Sequence, residues 1–166
     1  MEFTFILKYR LADSGTDAGS LEQRLADAGC DDALLGIGRP GRLALEFCRQ
    51  AASAREAVLS ALADVQRAVP DAELIEVSPD LVGLTDVADL LGMSRQNMRK
   101  LLLAHPQTFP APVHEGSASI WHLADILSWM QARGSQKVSS ELAELAAAAL
   151  QINVAKEQER LLQHPG

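Results

Sequence analysis

The chain has 166 residues and a formal net charge of −7, with 48% hydrophobic and 22% charged residues. This composition is ordinary for a soluble globular protein with one or two small cores. No apolar run approaches the roughly 20 residues of a membrane-spanning helix, and Met1 to Leu11 lack the features of a signal peptide. We therefore expect a cytoplasmic protein with no membrane partner.

The first segment, residues 1–79, contains predicted strands and helices in the order βαββαβ. Period-two alternation predicts four strands, which are Phe3 to Tyr9, Ala33 to Ile37, Arg42 to Cys48 and Leu74 to Val77. A loop, Asp13 to Ser20, precedes a short helix over residues 21–28, with Ser20 as N-cap and Gly29 as terminator. Ser53 caps a longer helix, whose predicted apolar stripe is Val58, Leu59, Leu62, Val65 and Val69. This order is that of the ferredoxin-like split unit, a fold that by itself assigns no function.

Two motifs in this segment do not indicate a cofactor or a metal. Residues 36–41 match the glycine pattern of dinucleotide-binding loops, but that pattern must open a helix, and Arg42 to Cys48 alternates like a strand. We interpret Gly38 to Gly41 as a hairpin turn. Cys30 and Cys48 lack metal-ligand spacing and are expected to be reduced thiols.

The second segment, residues 80–133, opens with two short helices. Thr85 is the predicted N-cap of the first, Asp86 to Leu91, and Ser94 caps the second, Arg95 to Leu103. Gly92 between them suits a turn with positive φ. The small Ala88 permits close helix approach, and the expected internal contacts are Val87, Leu91, Met93, Met98 and Leu101. This pattern is typical of a helix-turn-helix.

The second of these helices has a polar face without acidic residues. Met98, Leu101 and Leu102 define its inward face, whereas Gln96, Arg99 and Lys100 point outward, with Arg95 and Asn97 at the flanks. These residue types suit base edges and phosphates. A merely solvated face is the alternative. The absence of Asp and Glu between Ser94 and Leu103, in an acidic chain, favours contact with DNA.

A hairpin and a third helix follow. His114 to Ser119 is the predicted tip around Gly116, Ile120-Trp121 is the returning strand, and residues 122–130 form a helix with Leu123, Ile126, Leu127 and Met130 inward. Residues 81–133 combine several features of one family. These are the helix-turn-helix opening, Phe109-Pro110-x-Pro112, Trp121, and Asp125-Ile126 followed by Trp129. With this set the segment resembles the excisionase-like winged-helix proteins related to the mercury-resistance-regulator type.

The resemblance implies a winged helix-turn-helix domain that reads double-stranded DNA with helix 95–103 in the major groove. Members of this family often carry a basic residue in the wing, whereas the tip here is Glu115 to Ala118 and the only side chain that could become cationic is His114. Weak wing contacts are expected. The candidate DNA-binding residues are Thr85, Ser94, Arg95, Gln96, Asn97, Arg99, Lys100, His114 and Ser117.

The last segment, residues 134–166, contains a predicted helix from Val138 to Gln163, capped by Ser139 or Ser140. Its apolar stripe of Leu142, Leu145, Ala149 and Ile152 must pack on the same chain or on a second copy, and the sequence leaves both open. An acidic chain with few phosphate contacts gains affinity when two copies occupy two half-sites. We therefore expect a homodimer, with the helix of residues 134–166 as a possible dimerisation element.

These patterns together favour a sequence-specific DNA-binding protein that regulates transcription. The charge distribution leaves an alternative open, since residues 1–79 hold 8 basic and 13 acidic residues, against 4 and 5 in residues 80–133 and 3 and 4 in residues 134–166. The alternative is a protein-interaction module, antitoxin-like or accessory, whose acidic N-terminal domain binds a partner protein. No enzyme is expected, because His105, His114, His122 and His164 have no histidine at i, i+4 and no nearby cysteine.

Overall fold

A computed structural model describes residues 1–12, 17–36, 39–134 and 137–164 of the chain. Within these ranges the protein is a mixed α+β structure of six helices and two antiparallel sheets. The strands are β1 (Glu2–Arg10), β2 (Ala33–Gly36), β3 (Arg42–Gln50), β4 (Glu73–Ser78), β5 (Leu81–Val82), β6 (His114–Glu115) and β7 (Ser119–His122). The helices are α1 (Ala18–Asp27), α2 (Ala54–Ala68), α3 (Leu84–Leu91), α4 (Arg95–Ala104), α5 (Leu123–Arg133) and α6 (Ser140–Gln163).

The first sheet has four antiparallel strands in the order β2-β3-β1-β4. Alternation along the central strand β1 buries Phe3, Phe5, Leu7 and Tyr9 in one core with residues of α1 and α2. Phe5 stacks on Phe47 of the neighbouring β3 at 5.3 Å between ring centroids. Because β3 is a strand that begins at Arg42, the glycine pattern before it opens no helix.

Two sequence predictions about the helices of this segment are wrong. Asp17, not Ser20, is the N-cap of α1, and its carboxylate accepts the Ser20 N–H at 3.1 Å. Ser53 caps α2 as predicted, but Leu59 is 42% exposed. The buried face of α2 is instead built largely by small side chains, which are Ala54, Ala57, Val58, Ala61, Val65 and Ala68. The predicted loop residues 13–16, the predicted strand residue Ile37 and the predicted turn residue Gly38 lie outside the described residues.

The second sheet has the order β5-β7-β6 and is covered by α3, α4 and α5. The hairpin β6–β7 lies where the sequence predicts it, but its first strand contains His114 and Glu115, which the sequence pattern places in the tip. Strand β5 was not predicted. The core of this unit contains Val87, Ala88, Met98, Phe109, Trp121, Leu123, Ile126, Leu127 and Met130. Trp121 is buried, and its Nε1 donates to the Pro110 carbonyl at 2.8 Å.

The terminal helix α6, capped by Ser139, packs on its own chain. Leu145, Ala148 and Ala149 lie in the first core, with Ile152 packed against it. Ala146, on another side of the helix, lies in the second core together with partly buried Leu142. Of the two possibilities that the sequence left open for the apolar stripe, packing within the chain is the one observed.

A buried polar cluster joins α6 to both sheets. Strand β4 lies at the edge of its sheet, and the side-chain amide of Asn153 pairs with both the N–H and the carbonyl of Val77 at 2.8 Å. The same amide donates to the buried Asp80, at 2.8 Å, and the other Asp80 oxygen lies 2.7 Å from Nδ1 of His122. Edge strands with free backbone groups invite pairing with other chains, and α6 occupies this edge at Val77.

None of the helices in the described part of the chain is long and apolar enough to cross a membrane.

Candidate nucleic-acid interface

The unit formed by α3, the turn and α4 is held by local hydrogen bonds. Gly92 has a φ of +67°, the left-handed conformation that glycine adopts without strain. The Met93 N–H donates to the Ala88 carbonyl at 2.8 Å, and Ala88 itself is buried. The Ser94 hydroxyl accepts the Asn97 N–H at 3.1 Å and caps α4. These bonds fix the direction in which α4 leaves the turn.

Thr85 is not the N-cap of α3, contrary to the sequence prediction. The helix begins at Leu84 with Gly83 as its cap, and the Asp86 carboxylate accepts the Gly83 N–H at 2.9 Å. An acidic residue at the third helical position can satisfy the backbone donor of the cap residue, which accounts for the earlier start. Thr85 therefore lies inside the first turn of α3, with its side chain exposed next to an acidic residue.

Helix α4 presents the predicted polar face to solvent. Met98 is fully buried, and Leu101 and Leu102 are partly buried against the second core. On the remaining faces five polar residues are exposed, namely Arg95, Gln96, Asn97, Arg99 and Lys100. All ten residues of the helix, from Arg95 to Ala104, are free of carboxylates. Five of the predicted DNA-binding residues are thus brought together on one helix surface.

The cations of α4 have no carboxylate partner, unlike several others in the described part of the chain. Carboxylates pair with Lys8 (Glu76, 3.3 Å), Arg49 (Asp32 and Asp64, 2.7 and 2.9 Å) and Arg160 (Glu157, 2.8 Å). Across the described residues, Arg95, Arg99 and Lys100 form no ion pair and no side-chain hydrogen bond. Their donors remain available to an external anion.

The hairpin tip carries little positive charge. His114 and Ser117 are both exposed, and so is the acidic Glu115 between them. The His114 ring lies over Gly116, since a Cβ added at that glycine would come within 2.8 Å of the ring Nε2. His114 and Ser117 therefore supply the tip with an imidazole and a hydroxyl, on an element separate from α4.

The C-terminal end of α4 is anchored by an aromatic cluster that the sequence analysis did not assign. His105, the C-cap of α4, contacts Trp129 of α5 at 5.6 Å between ring centroids. Phe109 meets Trp129 edge-on at 5.0 Å. Arg133 lies over the Trp129 ring at 4.9 Å, and its guanidinium contacts the His105 Nε2 at 2.7 Å. The only sequence signal for this cluster was the cation and aromatic pair at i, i+4 on α5.

The described residues do not assemble a metal centre, since no group of three or more His, Cys, Asp or Glu among them could hold an ion. Cys30 and Cys48 are free thiols, the first buried and the second exposed. Burial raises the pKa of the Cys30 thiol to about 11, so this cysteine is a poor nucleophile at neutral pH.

Comparisons of the chain with protein-family models, with curated proteins and with solved structures found no match in any of the three.

Proposed function

We propose that this chain is a sequence-specific double-stranded DNA-binding protein that regulates transcription, with α4 in the major groove. The observation that carries the proposal is the exposed surface of α4, where three cations without carboxylate partners stand beside Gln96 and Asn97. Arginine and lysine suit phosphates and guanine edges, and the two amides suit adenine. A polar helix face with these properties is what groove binding requires.

The order of strands and helices supports this role, because it is compatible with two known folds. The order β5-β7-β6, the pair α3–α4 joined at Gly92, and α5 after the hairpin are what a winged helix-turn-helix over residues 80–133 would contain. The order β2-β3-β1-β4 with α1 and α2 supports a ferredoxin-like domain over residues 1–79. Under this interpretation the hairpin β6–β7 is the wing and residues 134–166 form a terminal segment.

The exposed residues divide by role. Gln96 and Arg99 point outward from α4 and read base edges. Lys100 also points outward, and Arg95 and Asn97 lie at the flanks of that face. Ser94 and Thr85, at two helix N-termini, suit phosphate oxygens. His114 and Ser117 supply a weak wing contact. We assign no catalytic residue and no cofactor, because binding a duplex involves no chemical step.

Two copies acting on two half-sites belong to the same proposal. A net charge of −7 repels the phosphate backbone, so one copy with three free cations gains little affinity, and a pair gains by avidity. Since the stripe of α6 is covered within the chain, the homodimer needs a contact surface other than that stripe.

The salt dependence of binding to a duplex of random sequence tests the phosphate contacts. Each neutralised phosphate contributes roughly 0.9 to the slope of log affinity against log salt. Replacing Arg95, Arg99 and Lys100 by Gln should therefore lower the slope by about 2–3 and weaken binding at every salt concentration. Fluorescence anisotropy measures both quantities. Lys8→Gln, which removes one paired cation from β1, should leave the slope unchanged.

An unchanged slope in the triple variant would exclude α4 as the phosphate-contacting surface. A matched loss in Lys8→Gln would show that net charge alone, and not this helix, decides the affinity. Circular dichroism melting shows whether the triple variant is folded, which is expected because all three side chains are exposed.

A second candidate function, binding of a protein partner in an antitoxin-like or accessory role, is favoured by a different observation. Leu103, on the same helix, is 64% exposed, and Leu90 of α3 is 42% exposed. Apolar side chains of this kind suit a protein interface better than a polyanion. If Leu103→Ser abolishes capture of a co-purifying protein while DNA affinity is absent in the wild type, this second function replaces the first.

A further inference from the structure

A groove of about 730 Å³ lies between α2, the C-terminal half of α6 and one end of the first sheet. Part of its lining is apolar and comes from Leu59, Leu74, Ile75 and Ile152. Leu59 is 42% exposed and Ile75 is 38% exposed. Apolar area in contact with water is unfavourable, so binding of an apolar body that covers these side chains would be favourable.

The rest of the lining is rich in cations. Arg10, Arg42, Arg55, Lys156 and Arg160 line the groove, against the carboxylates of Glu73, Glu157 and Glu159. This excess of positive charge adjoins a segment, residues 1–79, in which acidic residues outnumber basic ones by 13 to 8. The lining of the groove is therefore more cationic than the composition of that segment.

Three of these cations are already paired with carboxylates within the chain. Arg10 pairs with Glu73 at 2.6 Å. Glu157 faces Lys156 at 2.7 Å and Arg160 at 2.8 Å. The hydrogen bonds from Lys156 and then Arg160 lower the pKa of the Glu157 carboxyl to about 2, so this carboxylate stays ionised and keeps both cations occupied at neutral pH.

The other two guanidinium groups are not neutralised. Arg42 has one hydrogen bond, to the carbonyl of its neighbour Gly41 at 3.5 Å. Arg55 has one to the neutral Gln151 amide oxygen at 3.4 Å. Both contacts are long, and neither arginine forms an ion pair with any residue that the structure describes. Two arginines with spare donors thus border an apolar lining.

We propose that this groove is a binding site for a small organic anion, with an apolar body against Leu59 and Ile75 and a carboxylate or phosphate bound by Arg55 or by Arg42, which lie toward opposite ends of the groove. Guanidinium groups bind both kinds of anion through paired, charge-assisted hydrogen bonds. The proposal does not depend on DNA binding, because the groove shares no residue with the exposed face of α4.

The test uses 8-anilinonaphthalene-1-sulfonate, an aromatic anion whose fluorescence rises in apolar surroundings, and the full chain. We expect saturable binding of one probe per chain at the groove. Arg42→Gln with Arg55→Gln should weaken it by about 10-fold or more, since charge-assisted hydrogen bonds are among the strongest polar contacts. The matched control is Arg95→Gln with Arg99→Gln on α4, which should bind the probe like the wild type. Melting curves should show that both double variants are folded, since they replace surface side chains.

Two further arms identify the anion and the role of charge. Benzoate that displaces the probe better than inorganic phosphate indicates a carboxylate ligand, and the reverse order indicates a phosphate ligand. The neutral probe N-phenyl-1-naphthylamine should bind the wild type and the Arg42/Arg55 variant equally. Equal affinity of the charged probe for those two proteins overturns the proposal. So does an equal loss for the neutral probe, or a larger loss in the α4 control.

Discussion

Asn153 is the residue whose side chain does most to connect the parts of the molecule. Its side-chain amide bonds the N–H and the carbonyl of Val77, as a neighbouring strand would, and also donates to the Asp80 carboxylate. Asp80 in turn accepts from or pairs with His122, and its carbonyl accepts the Leu123 N–H at 2.7 Å, at the start of α5. One amide on α6 thereby links the edge of the first sheet to the helix that supports the candidate DNA-binding surface.

Asn153→Leu should lower the free energy of unfolding by about 2–4 kcal/mol, because it removes the hydrogen bonds to the Val77 N–H, the Val77 carbonyl and a buried Asp80 carboxylate oxygen. Urea unfolding followed by circular dichroism measures the loss. The matched control, Gln158→Leu, lies on an exposed part of the same helix and should change stability by no more than about 0.5 kcal/mol. Equal stability of the two variants would contradict the role assigned to Asn153.

At the scale of elements, the α3–turn–α4 unit depends on the backbone at Gly92. Its φ of +67° is strained for any residue with a Cβ, yet no atom lies within 4 Å of where that Cβ would be. The cost of a substitution there is therefore conformational and not steric. This separates the geometry of the turn from the packing of the core beneath it.

Gly92→Ala should reduce stability by about 1–2 kcal/mol, the cost of the left-handed region for an ordinary residue. Gly92→Asn should lose less, since asparagine tolerates that region better than alanine does. Thermal melting of the two variants side by side provides the measurement. If alanine is tolerated as well as asparagine, the turn is not held in this conformation in solution.

Helices and strands with a clear hydrophobic periodicity could be predicted from the sequence. Features that depend on how these elements pack against one another could not. The five polar residues of α4 follow from a helical wheel around Met98, Leu101 and Leu102. By contrast, β5 has two residues and therefore no period to detect. Leu59 was misassigned because a pattern of leucine and valine does not show which face of α2 the sheet and α6 cover. The groove beside Arg42 and Arg55 depends on three elements meeting, which no local pattern encodes.

At the scale of the whole molecule, α6 makes one folding unit of two cores. It supplies Leu145, Ala148 and Ala149 to the first core and Ala146 to the second. A chain that ends at Gly134 should lose at least about 4 kcal/mol of stability, because the core side chains that α6 covers become exposed.

In the full chain, Leu145→Ala should cost about 2–4 kcal/mol and leave a single transition in urea. Two separate transitions in the wild type would contradict this coupling.

The proposed homodimer is also decided at this scale. Light scattering of the full chain should show a dimer. Leu142→Ser should not dissociate this dimer, since Leu142 packs against the second core of its own chain. A full-length monomer at high micromolar concentration would reject the dimer while leaving the role of α4 intact.

Selection of bound duplexes from a random pool, with the wild type and with the Gln96→Ala, Arg99→Ala variant in parallel, tests the central claim most directly. We predict that the wild type enriches one defined motif, with two-fold symmetry if two copies bind. The variant should lose that motif, because each base-reading side chain contributes about 1–3 kcal/mol of discrimination. Enrichment of the same motif by both proteins, or of no motif by the wild type at low salt, would contradict the assignment of α4 as the element that reads DNA sequence.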